Sequence, residues 1–188
     1  FVQASVYDEF SQKLAIKVAE IKIGNGLDQS VTQGPLITSA AADNAEAFVA
    51  DAKSKGATVL CGGQKSETGK NFFEPTILTN VSKDMRVATE EIFGPIAPIF
   101  KFDKDEEGIS LANSTEYGLA GYFYSRDIGR VWRVAEALEV GMVGVNTGML
   151  TTELAPFGGV KESGLGREGS KYGIEEYVET KYICLDIG

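Results

Sequence analysis

Three stretches of the chain concentrate residue types that chemistry can use. In "ATEEIFGPIAPIF" two adjacent carboxylates, Glu90 and Glu91, precede the aromatic Phe93 and a Gly94-Pro95 pair that forces a turn ahead of an apolar run. Spacing alone leaves two readings for the acids. They are solvated side chains at a helix end or loop, or one is held beside a rigid turn where it accepts two sugar hydroxyls while Phe93 presses on a flat ring. "GMLTTELAPFGGVKESGLGREGSKYG", from Gly148 to Gly173, joins hydroxyls and charges to many glycines and sets Phe157 beside Gly158-Gly159, where backbone can approach a ligand closely. Its "SGLGREGSKYG" part looks superficially like a phosphate cradle but lacks the preceding strand of a dinucleotide fingerprint. The alternative is a glycine-rich turn capping a helix after Gly169, with Arg167 and Glu168 paired to structural neighbours. In "NSTEYGLAGYFYS", Asn113 and Tyr117-Gly118 lie between helix and strand, and Gly118 reads as a left-handed helix cap.

What the chain lacks narrows the chemistry. It has no histidine, so Ser–His and Cys–His pairs and the usual zinc sites are ruled out within these 188 residues, and no metal site is expected. Cys61 ("TVLCGG") and Cys184 ("KYICLDIG") have apolar flanks and read as small buried hydrophobes on strands. A net charge of −9 argues against a nucleic-acid partner, because phosphate binding needs clustered cations. No apolar run approaches the roughly 20 residues of a membrane span. The opening "FVQASVYDEF" has neither the basic region nor the apolar core of a signal peptide.

The elements that must position these residues alternate between helical and extended patterns. "SVYDEFSQKLAIKVAEI" carries Val6, Phe10, Leu14 and Val18 at helical spacing, which predicts a buried face through those four. "SAAADNAEAFVADAKSKG" predicts a helix ending at glycine, and "DIGRVWRVAEALEVG" one with Asp127 as N-cap. "KDEEGISLANSTEYG" predicts a helix closed by Gly118. "ATVLCGG", "FFEPTILTNV", "IAPIFKF", "LAGYFYS" and "MVGVN" read as strands. Such alternation predicts an α/β fold, a mostly parallel sheet with helices on its faces. "GIEEYVETKYICLDIG" reads as a short helix passing into a β-rich terminal strand, which if left at an edge is a template for pairing with another chain.

Taken together, "TQGPLI", "GKNFFEPTIL", "TEEIFGPIAPIFKF", "NSTEYGLAGYFYSRD" and "NTGMLTTELAPFGGVKESGLGREGSKYGIEEYVETK" occur in the order and spacing of NAD(P)-dependent aldehyde dehydrogenases, and the resemblance covers essentially the whole chain. "LAGYFYSRD", "EVGMVGVNTG" and "GREGSKYGIEEYVETKY" are most similar to the succinate-semialdehyde branch. The resemblance implies that residues 1–177 are the C-terminal part of the catalytic domain and residues 178–188 an oligomerisation strand. It implies NAD or NADP as cofactor, a small aldehyde as substrate, a homodimer or homotetramer, and a cytoplasmic or mitochondrial-matrix location. By that resemblance Glu91 holds the nicotinamide ribose hydroxyls, Phe93 packs near the nicotinamide, Phe157 lines the substrate tunnel, and Thr151 holds the substrate carboxylate. Many relatives carry serine at the Thr151 position. The family's catalytic cysteine and glutamate are expected upstream of Phe1, so no catalytic residue is expected among these 188 and the fragment alone is expected to be inactive. The competing expectation is an isolated domain acting only as an assembly module.

Overall fold

A computed structural model describes residues 1–188, which divide into two units, Phe1–Gly108 and Ile109–Gly188. The first contains β1 (Val2–Gln3), α1 (Tyr7–Ala19), α2 (Ser39–Ser54), β2 (Thr58–Cys61), β3 (Thr76–Thr79), β4 (Ile96–Pro98) and β5 (Lys101–Phe102). Its three-stranded sheet runs β2-β3-β4, antiparallel between β2 and β3 and parallel between β3 and β4, and β5 pairs in parallel with β1. All four residues of β3 are buried, because a strand's side chains alternate between faces and both faces are covered. Leu78 packs with Ala45, Phe48, Val49 and Ala52 of α2, while Ile77 joins Tyr7 and Ile99 beside Leu14, Ala15 and Val18 of α1. The expected α/β layering is thus present, one helix on each side of a central strand.

The buried face of α1 differs from the expected one. Val6 and Phe10 are 48% and 44% exposed, whereas Tyr7 and Ser11 are buried. Hydropathy ranks the tyrosine low, yet its hydroxyl donates to Ile99 O at 2.9 Å and accepts from Asn80 N at 3.1 Å, so burial satisfies both its ends. Ser11 follows one turn later and donates to Tyr7 O at 2.8 Å. The helix is therefore rotated by one position, with residues 7, 11, 14, 15 and 18 facing inward.

At the end of α2 the glycine does what its position predicts. Gly56 takes φ 102°, its N–H bonds Lys53 O at 3.1 Å, and Ala57 N bonds Ala52 O at 2.9 Å, a Schellman closure of the last turn. The start is capped by Thr38, whose hydroxyl accepts from Ala41 N at 3.2 Å. "IAPIFKF" is not one strand: β4 pairs with β3 and β5 with β1, with Ile99 and Phe100 between them.

α3 (Asp105–Asn113) spans the boundary, and the second unit continues with β6 (Tyr117–Gly118), β7 (Ala120–Phe123), α4 (Ile128–Ala137), β8 (Met142–Val145) and β9 (Val160–Lys161). β7, α4 and β8 form a β-α-β crossover with β7 parallel to β8. Asp127 is the expected N-cap of α4, its Oδ1 accepting from Arg130 N at 2.7 Å. Three of the chain's five strand pairings are parallel.

Gly118 is not a left-handed cap. It lies in β6, buried and antiparallel to β9, and a Cβ there would stand 2.5 Å from Glu139 O. Close approach is what requires glycine. Asn113, the last residue of α3, uses its side chain to hold the end of α4, donating to Ala137 O at 2.8 Å and accepting from Glu139 N at 2.9 Å. After a 3-10 turn at Gly173–Tyr177, residues 178–188 form no strand within the chain and all are exposed.

Candidate functional site

In the first unit the site is built on the segment that links β3 to β4. A 3-10 turn at Arg86–Ala88 carries Val87 into the core, and Ile92 packs on the same core cluster. With Ile92 pinned inward, its neighbours Glu91 and Phe93 are both displayed to solvent. Gly94 and Pro95 then tie the segment to the sheet: Thr76 N donates to Pro95 O at 2.8 Å, and Ile96 N to Gly94 O at 2.8 Å. Phe93 takes φ 44°, a left-handed conformation unfavourable for an aromatic residue, and is 81% exposed. Strain of this kind persists only where the surrounding structure over-determines it, and it clusters at ligand clamps.

The two carboxylates have different fates. Glu90 receives two parallel hydrogen bonds from Arg86, Nε to Oε1 and Nη2 to Oε2, each 2.8 Å. Those bonds, and the guanidinium charge behind them, hold the Glu90 carboxyl below the usual carboxylate range. Glu91 is exposed and makes no hydrogen bond or ion pair, so both its oxygens are open to a ligand.

The second unit holds the other two candidates. Asn146 pins the loop after β8, accepting from Ser125 N at 2.9 Å and donating to Ser125 O at 2.8 Å. Thr147 bonds within the loop, donating to Met149 O and accepting from Met149 N. Thr151 is exposed and its hydroxyl has no partner. Phe157 is bridged to Glu168 through both backbone bonds, and beside that bridge Arg167 Nη1 donates at 2.7 Å to both Gly159 O and Gly166 O.

Gly164, Gly166 and Gly169 take φ of 102°, 83° and 67°, so the glycines build turns and Arg167 is spent on carbonyls. This favours the turn reading of "SGLGREGSKYG" over the cradle. A cleft of about 310 Å³ opens here, with Phe157, Leu165, Arg167 and Tyr177 in its walls. Of the cysteines, Cys61 lies half-buried on β2, but Cys184 is exposed and on no strand, contrary to expectation, because the terminal segment has nothing in the chain to pack against.

Residues 1–183 match the aldehyde dehydrogenase family. The chain belongs to that family. It is 58% identical over 187 residues to a glutarate-semialdehyde dehydrogenase of Pseudomonas putida, covering all of this chain and 38% of that protein. It is 56% identical over 187 residues to the NADP(+) succinate-semialdehyde dehydrogenase of Escherichia coli, covering all of this chain and 39% of that protein. Among solved structures, a succinate-semialdehyde dehydrogenase from Burkholderia pseudomallei superposes with a TM-score of 0.96 at 59% identity, over 98% of this chain and 38% of that one. The chain therefore spans well under half the length of these relatives.

Within this aldehyde dehydrogenase portion, Glu91 and Phe93 fall in the first unit and Thr151 and Phe157 in the second. Sequence reasoning missed Arg86. Its signal was present as an Arg–Glu pair at a spacing of four, but that spacing counts only where the backbone turns, and nothing marked residues 86–88 as helical.

Proposed function

We propose that this chain supplies cofactor- and substrate-contacting parts of an NAD(P)-dependent dehydrogenase that oxidises succinate semialdehyde to succinate. The observation that carries the reading is the unpaired Glu91 carboxylate, next to a Glu90 already bound and before the strained Phe93. A carboxylate with two open oxygens can accept both hydroxyls of a ribose, and an exposed aromatic beside it can pack against a flat ring. An acceptor carboxylate beside an exposed aromatic suits a dinucleotide, which when bound would accept the hydride from the substrate carbon. Glu91 and Phe93 orient, and orientation is what hydride transfer demands. Phe157 walls the aldehyde path against water, which protects the acyl intermediate until its hydrolysis. Thr151 donates its free hydroxyl to the far carboxylate of the substrate. The nucleophile and general base belong to parts of the family's architecture outside these residues, and the 188 residues alone are inactive. Relatives named for succinate and glutarate semialdehydes, both with a carboxylate opposite the aldehyde, support this substrate class.

The test compares succinate semialdehyde with butanal, of equal chain length and no charge, in the full-length dehydrogenase containing this chain. A kcat/KM advantage of about a hundredfold or more for the semialdehyde is expected, since a site that pairs a substrate charge rejects the analogue lacking it. Equal values for the two would overturn the substrate assignment.

A further inference from the structure

Beside the proposed ribose carboxylate stands an ionic anchor that the reaction does not touch. Arg86 is held at three points. Its backbone N–H donates to Asp51 Oδ2 at 2.8 Å, its guanidinium lies 4.5 Å from the centroid of the buried Phe48 ring, and its fork closes on both oxygens of Glu90. Asp51 is itself paired with Lys55 at 2.9 Å, which fixes the carboxylate that receives the arginine's backbone N–H. The backbone completes the knot, Glu90 N donating to Arg86 O at 2.9 Å.

This anchor adds little to stability, because Glu90 is about half exposed (49%) and such pairs are weakened by solvent. What two matched hydrogen bonds do supply is direction. They fix the Glu90 side chain and occupy its oxygens, and the next residue carries the free carboxylate. Two adjacent acids would otherwise compete for the same pair of hydroxyls and repel one another near them.

We propose that Arg86 is a positioning residue for the cofactor: by clamping Glu90 it sets where Glu91 presents its carboxylate and leaves Glu91 as the sole acceptor for the ribose. The inference rests on the reading of Glu91 given above. Arg86 touches neither cofactor nor substrate. A lysine cannot replace it, because an ammonium offers a point charge in place of the planar fork.

The experiment is a double-mutant cycle in the full-length dehydrogenase, using Arg86→Gln, Glu91→Gln and the pair. Readouts are the dissociation constant of the oxidised dinucleotide by calorimetry and the separate KM values for dinucleotide and aldehyde, with thermal midpoints alongside. Arg86→Gln is expected to weaken dinucleotide binding about fivefold while the aldehyde KM stays put, and most of that loss should vanish in the Glu91→Gln background. Arg86→Lys, which keeps the charge and the fold, should recover less than half of it. Additive losses in the two backgrounds, or a parallel rise in the aldehyde KM, would reduce Arg86 to a structural role and overturn the inference. A harmful Glu91→Gln with a harmless Arg86→Gln overturns it while leaving the ribose assignment intact. A harmless Glu91→Gln removes that assignment, and the inference with it.

Discussion

Phe157 and Glu168 exchange both of their backbone hydrogen bonds, at 2.8 Å and 2.7 Å. That bridge presses two glycine-rich loops together so closely that the residue after Phe157 has no room for a side chain. A Cβ on Gly158 would stand 2.5 Å from Gly166 O and 2.8 Å from Arg167 Cδ. Gly158→Ala is therefore expected to destabilise by about 1–3 kcal/mol, as overpacking does, and to raise the aldehyde KM by moving Phe157. Gly34→Ala is the control for thermal denaturation, since a Cβ there meets nothing within 4 Å. Equal midpoints for the two variants would show that the loops yield freely.

Glu91 and Glu90 are expected to differ in kind. In the full-length dehydrogenase, Glu91→Gln should slow hydride transfer by about tenfold or more, measured in a single turnover against deuterated aldehyde. Glu90→Gln keeps an oxygen for Arg86 and should cost much less. Losses of the same size would mean that the wrong carboxylate of the pair has been assigned.

Neither cysteine is expected to be the nucleophile. Cys61→Ser and Cys184→Ser should both keep the burst of reduced cofactor that marks acyl-enzyme formation. A thiol reagent should label the exposed Cys184 of the isolated 188 residues quickly and the half-buried Cys61 slowly. A lost burst in either serine variant contradicts the assignment.

The terminal segment is expected to be a joint between subunits. Tyr182, Ile183, Leu185 and Ile187 are 87%, 75%, 78% and 86% exposed, an apolar run with no partner in its own chain. Deleting residues from Lys181 onward should shift the full-length dehydrogenase towards monomer in light scattering, and Cys184 should label more slowly in the assembled enzyme than in the isolated chain. A truncated protein that keeps its oligomeric mass places the joint elsewhere.

The cap of α4 should be visible as a pH effect. The N–H of Arg130, bonded to Asp127, holds that carboxyl below its ordinary value of 3.8. A depressed folded pKa contributes stability that is present above the unfolded value and is lost as pH falls through the folded one. The melting difference between the native chain and Asp127→Ala should thus be constant near neutrality and shrink below pH 3.8. Asp127→Asn, a cap without a titrating proton, should not share that dependence. A gap that stays constant down to acid denaturation would show that the carboxylate's charge does not contribute.

Local chemistry was legible before any fold was in view. Gly56 ends α2 and Asp127 starts α4 because capping depends on a few consecutive residues and their own backbone, and the alternation of patterns announced the α/β class for the same reason. The family was legible too, because its motifs run in order along nearly the whole chain. Other features depended on residues remote in sequence. Periodicity placed Phe10 on the inner face of α1, but Ile99 O and Asn80 N reached Tyr7 and turned the helix by one position. Gly118 looked like a cap until β9 came against it. Spacing could not rank Glu90 against Glu91 either. Only when the turn at residues 86–88 brought Arg86 onto one of them, with Phe48 of α2 beneath the guanidinium, did the pair become one bound carboxylate and one free. Pairing between side chains is decided by which surfaces the backbone brings together, and that is a property of the tertiary structure.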